Sequence, residues 1–465
     1  IPGLTEAFYK HAPILAITTS KLERFQYQDY MQAPDQMSLP VDSVKRSFDL
    51  PPVTDDNTRM QCINSAREAM LELTHRNPGP IQLNIRIVDV QQGQFEQVEL
   101  PVIRTIKRYM AWDEWSDVDL GGKRVLVIIG EHRPFTQRQK DALDNFCTGY
   151  NVVVYVNHLS NYHGIYSIQG NLLVSCGGLK HLNPDIIITI GGQTGDYSIY
   201  NALNLTKNTE HWRVCEDGNV VNTYNRLNKI FECPAFYFFN RMKKDMQVDH
   251  SYYEEWKNMN STMNYNVEVP FSNLYVAQQL YKDIPQNSIM NFAILNSLRS
   301  WSYFPLNTSI QGYANVAAFG IDGCNSMLIG ESMNTNEFCF IVTGDLAFFY
   351  DMNALGIRHI KNNVRILLVN NNGGAEFKIM TRNWTDNVNN FISANGHNGN
   401  AKGWAENCGF KYISAKNKEE FSNVKNEFIN ENFRPILFEV FTEEVDEVVA
   451  MSEFIGKNKI VKSGD

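Results

Sequence analysis

Residues 338–374, FCFIVTGDLAFFYDMNALGIRHIKNNVRILLVNNNGG, decide the fold class of this chain. Residues 338–343 are mainly apolar and predict a buried strand, residues 346–360 have a helical pattern, and residues 364–369 predict a second buried strand. A strand, a helix and a strand in this order form a right-handed βαβ unit, which places the ends of both strands at one edge of a parallel sheet. The segment therefore predicts an α/β fold with a ligand-binding edge.

Polar residues follow both predicted strands. Gly344 and Asp345 end the first strand, and Asn371 and Gly373 follow the second. Magnesium typically takes one or two protein oxygens together with the phosphates of a substrate, and a helix that begins beside Asp345 would favour a diphosphate. Each half alone is also ordinary turn chemistry, because Asn and Gly tolerate left-handed backbone conformations. The two halves together predict a site for Mg²⁺ and a diphosphate.

The alternation of apolar strands and helices continues along the whole chain. We predict three successive α/β domains with mainly parallel sheets, at residues 1–105, 106–265 and 266–465. The polar segment 245–266 is interpreted as the connection between the second and third domains. Helices are predicted near 58–76 and 134–149, and the clearest strands are PILAITT, GPIQLNIRI, KRVLVIIGEH, NVVVYVNH, PDIIITIGG, NFAILNS and RPILFEVFT.

Composition and charge exclude several classes of protein. The chain has 465 residues, of which 43% are hydrophobic and 20% charged, as in globular proteins and unlike disordered ones. Forty-two Lys and Arg against 51 Asp and Glu give a net charge of −9, so neither nucleic acid nor an anionic membrane is expected as a partner. No apolar run reaches the roughly 18 to 20 residues of a membrane span. Eight scattered cysteines without a CxxC pair predict reduced thiols and a cytoplasmic protein.

The motifs of the third predicted domain are similar to those of thiamine diphosphate-dependent enzymes, in which Gly-Asp and a following Asn-Asn bracket a helix and a strand. Within that family the chain resembles the branch that makes 2-succinyl-5-enolpyruvyl-6-hydroxy-3-cyclohexene-1-carboxylate in menaquinone biosynthesis. The similar stretches are NSLRSW at 296–301, NVAAFGIDGCNS at 315–326, GDLAFFYDMNAL at 344–355 and VNNNGGAEF at 369–377. The resemblance covers essentially the whole chain. It implies a pyrimidine-binding domain represented by its C-terminal part, then a central domain, then a diphosphate-binding domain.

The resemblance implies which residues would hold the cofactors, thiamine diphosphate and Mg²⁺. Asp345 and Asn371 would bind Mg²⁺ through their side chains and Gly373 through its carbonyl. Gly344 and Leu346 would line the diphosphate. Phe377 would lie beside the thiazolium ring.

The resemblance also implies the reacting part of the site. Gln32, in QAPDQ, and Ser297 stand where the synthase has substrate-contacting active-site residues. The glutamate that activates the cofactor in this family would stand upstream of Ile1, so the first domain is expected to be N-terminally incomplete. Because the family builds each site between two subunits, a homodimer or homotetramer is expected.

The substrate positions depart from the synthase. Where that branch uses arginines to hold substrate carboxylates, this chain has Trp301 and Val316 at two positions and Lys21 at a third, which keeps a charge but loses the bidentate fork. Glu376 adds a carboxylate at an apolar position, and Arg299 is a candidate replacement cation. A site with fewer fixed cations binds a dicarboxylate less well. We therefore expect the same reaction class with a different, less anionic pair of 2-oxo acid and acceptor.

Two other functions are compatible with the sequence. An acetolactate-synthase-like enzyme or a simple 2-oxo acid decarboxylase would fit the lost arginines. A non-catalytic paralogue that acts as a scaffold would fit the altered substrate positions, although Asp345, Asn371 and Gly373 are intact. His211 and His397 are interpreted as surface or packing residues, because no histidine stands in a ligand spacing.

Overall fold

The computed structural model describes residues 1–88, 99, 104–246, 248–379, 394 and 396–460. In chain order the strands are β1 (Leu15–Ser20), β2 (Arg46–Leu50), β3 (Ile81–Arg86), β4 (Lys107–Met110), β5 (Val125–Ile129), β6 (Val152–Val156), β7 (Ser167–Gln169), β8 (Ile186–Ile190), β9 (Glu210–Val214), β10 (Leu227–Glu232), β11 (Ile289–Phe292), β12 (Gln311–Ala314), β13 (Cys339–Gly344), β14 (Val364–Asn370), β15 (Lys411–Ala415) and β16 (Ile436–Phe441).

The α-helices are α1 (Pro2–Tyr9), α2 (Asp56–Glu72), α3 (Gln137–Thr148), α4 (Asn171–Ser175), α5 (Tyr197–Asn204), α6 (Ala235–Met242), α7 (Ser251–Ser261), α8 (Asn273–Leu280), α9 (Asn296–Ser302), α10 (Cys324–Ser332), α11 (Asp345–Tyr350), α12 (Ala375–Ile379), α13 (Lys402–Asn407), α14 (Lys418–Asn430) and α15 (Glu444–Asn458). Short 3-10 helices lie at Glu23–Phe25, His158–Ser160, Gly178–Lys180 and Met352–Gly356. The chain forms two compact units, one of residues 1–115 with 211–233 and one of residues 116–210 with 234–465.

The first unit contains parallel strands. Strands β1 and β2 flank β3, with Leu15 and Arg46 both opposite Ile81. Helix α2 begins at a capping box in which the Asp55 side chain accepts the backbone N–H of Thr58, so the start of the helix is fixed by the sequence. Ala69 of this helix packs against Ile81 in a small core. Strand β10 lies between β4 and β9, again in parallel.

The second unit contains two groups of parallel strands. Strand β5 lies between β6 and β8, and β6 also pairs with β7. Every residue of β5 and β6 is buried, which is typical of a parallel sheet covered on both faces. The other group is a six-stranded parallel sheet with the order β12-β11-β13-β14-β16-β15. The predicted α/β class with mainly parallel sheets is confirmed, while the predicted domain boundaries stay a prediction.

The βαβ unit predicted from residues 338–374 is present in the six-stranded sheet. Strands β13 and β14 pair in parallel with Gly344 opposite Val369, so their carboxyl ends lie at the same edge. The expected continuous helix over 346–360 is instead α11 followed by a 3-10 turn at Met352–Gly356. The reason lies in Asp351, whose carboxylate accepts the N–H of Ser326 at 2.7 Å and its hydroxyl at 2.8 Å and so holds the end of the helix in place.

The segment 245–266 is more than the connection that the sequence suggested. It contains helix α7, in which Tyr252 and Trp256 are fully buried four residues apart. The hydroxyl of Tyr252 donates to the carbonyl of Leu182 at 2.8 Å. The polar residues on the opposite face concealed this two-residue apolar stripe.

In the part of the chain that the structure describes, no helix is both long and apolar enough to cross a membrane.

Candidate functional site

A cavity of about 830 Å³ lies at the carboxyl edge of the six-stranded sheet. Its wall includes seven residues that the sequence analysis selected, which are Ser297, Gly344, Asp345, Leu346, Asn371, Gly373 and Glu376. They come from the end of β13, the start of α11, the loop after β14 and the first turns of α9 and α12. The parallel topology therefore brings together residues that are far apart in the sequence.

Asp345 lies at the polar end of this cavity and is 2% exposed. One carboxylate oxygen accepts the N–H of Leu346 at 2.7 Å, and the other accepts the N–H of Gly373 at 3.0 Å. Nε2 of His397 lies 3.1 Å from the second oxygen. Burial raises the pKa of the Asp345 carboxyl, and the Leu346 amide and His397 offset only part of this effect. A cation bound here would compensate for the hydration that the carboxylate has lost.

Asn371 presents a buried oxygen toward the same edge. Its Oδ1 atom has no hydrogen-bond partner among the residues that the structure describes. Buried side-chain oxygens in folded proteins are normally paired with protein, water or an ion. This oxygen and the buried carboxylate of Asp345 belong to residues that line the same cavity, so the pair is a candidate site for a cation.

Gly373 closes the loop after β14, and a side chain would not fit there. A Cβ atom at this position would lie 2.7 Å from the carbonyl oxygen of Ala394 and 2.9 Å from Oε1 of Glu444. The loop is also fixed by the Gly374 N–H, which donates to the carbonyl of Ala394 at 2.7 Å. Glycine is thus required by close backbone approach.

These residues fit a magnesium ion. Asp345 would supply a carboxylate oxygen, Asn371 an amide oxygen and Gly373 a carbonyl oxygen, and Mg²⁺ prefers this set of hard oxygen ligands. Such an ion would satisfy the unpaired Asn371 oxygen. Within the described ranges, no three His, Cys, Asp or Glu side chains are grouped so as to hold a metal, so the mixed carboxylate, amide and carbonyl set is the candidate.

Arg299 and Glu376 form an ion pair at the other side of the cavity. The two guanidinium nitrogens Nη1 and Nη2 donate to the two carboxylate oxygens at 2.7 and 2.9 Å, a bidentate geometry. Their side chains are only 20% and 15% exposed. The sequence suggested a repelling carboxylate and a replacement cation as separate features. The structure shows that each neutralises the other.

Other predicted residues lie elsewhere. Trp301 and Val316 are fully buried in the core and neither lines the cavity, so the geometry gives no support to Trp301 as a substrate contact. Lys21 and Gln32 belong to the other unit, where Gln32 is exposed with a left-handed φ of 57°. Phe377 falls in α12, but its side chain lies outside the described residues. The roles proposed for Lys21, Gln32 and Phe377 stay predictions.

His397 lines the cavity, and the sequence interpretation of it as a surface or packing residue missed this. Its backbone N–H donates to the carbonyl of Asn372 at 3.0 Å. The loop that carries it is held by Asn370, which donates to the carbonyl of Gly399 at 3.0 Å and to buried Glu439 at 2.8 Å. Glu439 is the polar residue within the apolar run ILFEVF, and this sequence feature could have indicated that the loop is held by a buried carboxylate.

Glu447 is a buried carboxylate that the sequence analysis did not select. It accepts the backbone N–H of Asn273 at 2.9 Å and the hydroxyl of Thr442 at 2.8 Å on one oxygen, and the side-chain amide of Asn296 at 3.0 Å on the other. Burial raises the pKa of this carboxyl. Because Asn296 precedes Ser297, Glu447 fixes the start of the helix that carries Ser297 into the cavity wall.

We expect Glu447→Ala to lower the free energy of unfolding by about 3 kcal/mol, because it leaves buried donors unpaired and creates a void. Urea denaturation measures this difference. The control is Glu453→Ala on the exposed face of the same helix, with an expected change within about 0.5 kcal/mol. Equal effects of the two substitutions would contradict the assigned role.

Fold and cavity together define the class: an α/β protein with a polar cavity at the carboxyl edge of a parallel sheet, the usual position of a ligand site in open α/β sheets. No protein-family model matches the chain. The chain is similar over nearly its whole length to curated enzymes named 2-succinyl-5-enolpyruvyl-6-hydroxy-3-cyclohexene-1-carboxylate synthase. The relative from Bacteroides thetaiotaomicron is 27% identical over 457 residues, covering 95% of this chain and 81% of the relative.

Two further relatives carry the same name. The protein from Phocaeicola vulgatus is 27% identical, covering 97% of this chain and 83% of its own length. The protein from Christiangramia forsetii is 28% identical, covering 95% of this chain and 82% of its own length. These comparisons confirm the resemblance to the synthase branch that the sequence motifs indicated.

Proposed function

We propose that this protein is a thiamine diphosphate- and Mg²⁺-dependent enzyme that decarboxylates a 2-oxo acid and transfers the remaining carbon unit to an acceptor. The observation that carries the proposal is the unpaired, buried Asn371 oxygen beside Asp345 at the sheet edge. The similarity to the synthases supports the same reaction class. When bound, thiamine diphosphate would supply the electron sink that the decarboxylation of a 2-oxo acid requires.

In this proposal the residues of the cavity wall bind the metal ion and the diphosphate and orient the substrate. Asp345, Asn371 and Gly373 would hold Mg²⁺, which would supply positive charge for binding a diphosphate. Gly344 leaves room for a phosphate, since no atom lies within 4 Å of the position that its Cβ would occupy. Ser297, 4% exposed, stands in the wall as a hydroxyl donor for a substrate.

We further propose that the substrate pair differs from that of the synthases. The positions of two substrate-binding arginines hold buried Trp301 and Val316, and the charge of Arg299 is used by Glu376. A donor and an acceptor with less negative charge are therefore favoured. We also propose a homodimer or homotetramer, on the basis of the family resemblance. A cytoplasmic location is proposed from the scattered cysteines.

The experiment measures CO₂ release from a panel of 2-oxo acids with thiamine diphosphate, in the presence of Mg²⁺ or of a chelator. We expect Mg²⁺-dependent release from at least one acid. Release without any thiamine diphosphate, or no release together with no cofactor binding, would overturn the proposal and leave the scaffold alternative. Product analysis with pyruvate alone separates an acetolactate-synthase-like enzyme or simple decarboxylase from a carboligase with two different substrates.

A further inference from the structure

The Arg299–Glu376 ion pair lies at the candidate site, because Glu376 is one of the residues that line the cavity. Glu376 lines the large cavity, and Arg299 lines a small neighbouring pocket. Leu295 lines both. The bidentate contact uses both terminal nitrogens of the guanidinium. The carboxylate of Glu376 therefore takes the position on Arg299 where a substrate carboxylate would bind.

The other described lining residues of the cavity include few partners for a substrate carboxylate. Much of the described lining is apolar, with Ile294, Leu295, Ile321 and Phe349 as examples. Among the lining residues that the structure describes, His397 is the only basic side chain, and it contacts the carboxylate of Asp345. The described lining therefore offers a substrate carboxylate no basic side chain that is not already in contact with a carboxylate of the protein.

We infer that Glu376 is a specificity-determining residue, which restricts the site to a 2-oxo acid with an uncharged side chain by filling the fork of Arg299. The inference rests on the proposed function, whose substrate class it names. A substrate carboxylate could reach Arg299 only by displacing Glu376, which would leave that carboxylate unpaired in a mostly buried position. Breaking such a pair is strongly unfavourable, whereas an alkyl chain leaves it intact.

The test compares two acids of equal chain length, 2-oxopentanoate and 2-oxoglutarate, with the full chain, thiamine diphosphate and Mg²⁺. We expect the unmodified protein to favour 2-oxopentanoate in kcat/KM by at least about tenfold. In Glu376→Gln, which frees Arg299, the ratio should move toward 2-oxoglutarate by at least about tenfold. The double variant R299Q/E376Q should lose this gain, because the freed guanidinium is its cause.

Asp217→Asn is the matched control. It breaks another bidentate pair, with Arg213, in the other unit, and the substrate ratio should not change. A ratio that moves less than about threefold in Glu376→Gln, or equally in the double variant, would overturn the inference.

A binding measurement separates this inference from the proposed function. Calorimetry with glutarate, an unreactive dicarboxylate, should show tighter binding to Glu376→Gln than to the unmodified protein, and no gain in R299Q/E376Q. If no 2-oxo acid of the panel is decarboxylated and thiamine diphosphate does not bind, but glutarate follows this pattern, the proposed function fails and the role of Glu376 in excluding a dicarboxylate stands. If CO₂ is released but glutarate binds equally to all three proteins, the inference fails alone.

Discussion

Replacement of Asp345 by alanine should abolish the Mg²⁺-dependent binding of thiamine diphosphate, with a loss of affinity of at least about a hundredfold. The carboxylate is the charged member of the proposed ligand set, and it is already oriented by the amides of Leu346 and Gly373. Isothermal titration calorimetry with and without Mg²⁺ measures the change. Without Mg²⁺ the difference between the two proteins should largely disappear, because both then lack the bridging ion.

The control for this substitution is Asp283→Ala. Asp283 is exposed, lies in the same unit and pairs with Lys425 at 3.1 Å. Loss of a surface pair changes stability little, so cofactor affinity should remain that of the unmodified protein. Unchanged affinity in Asp345→Ala would remove the assignment of the metal site.

Gly373→Ala should have the second largest effect, on both stability and cofactor affinity. The added methyl group would lie 2.7 Å from the carbonyl oxygen of Ala394, so the loop must move. Overpacking of this kind costs about 1 to 3 kcal/mol. The movement would also draw the Gly373 N–H away from Asp345 and shift the neighbouring Asn371, and we expect cofactor affinity to fall by at least about tenfold.

Gly403→Ala is the matched control for this methyl group. Gly403 lies in helix α13, and apart from its chain neighbours and the backbone of that helix no atom lies within 4 Å of its Cβ position. Alanine is favoured over glycine in a helix by about 0.5 to 1 kcal/mol, so this variant should be as stable as the unmodified protein or more stable. Thermal unfolding and calorimetry check both variants, and equal results for Gly373→Ala and Gly403→Ala would contradict the steric argument.

The edge of the sheet could be predicted from the sequence because its signals are local. Two mainly apolar runs predict buried parallel strands, and the polar residues that follow them must meet where the strands end. The structure places Asp345, Asn371 and Gly373 in one cavity wall, as this reasoning requires. Strand bounds were close, with 364–369 predicted and Val364–Asn370 found.

The partners of the polar side chains could not be predicted in the same way. Arg299 and Glu376 are 77 residues apart, and only the packing of α9 beside α12 makes them a pair. His397 reaches Asp345 through a loop whose position depends on buried Asn370 and Glu439. Such contacts are set by tertiary geometry, and no periodicity or spacing in a single sequence encodes them.

A crystal structure of the protein grown with thiamine diphosphate and Mg²⁺ tests the central claim most directly. We predict one ion bound to a carboxylate oxygen of Asp345 and to Oδ1 of Asn371, each at about 2.0 to 2.1 Å, with the diphosphate at the same site. An ion or diphosphate bound elsewhere, or the two side-chain oxygens too far apart to share one ion, would contradict the account.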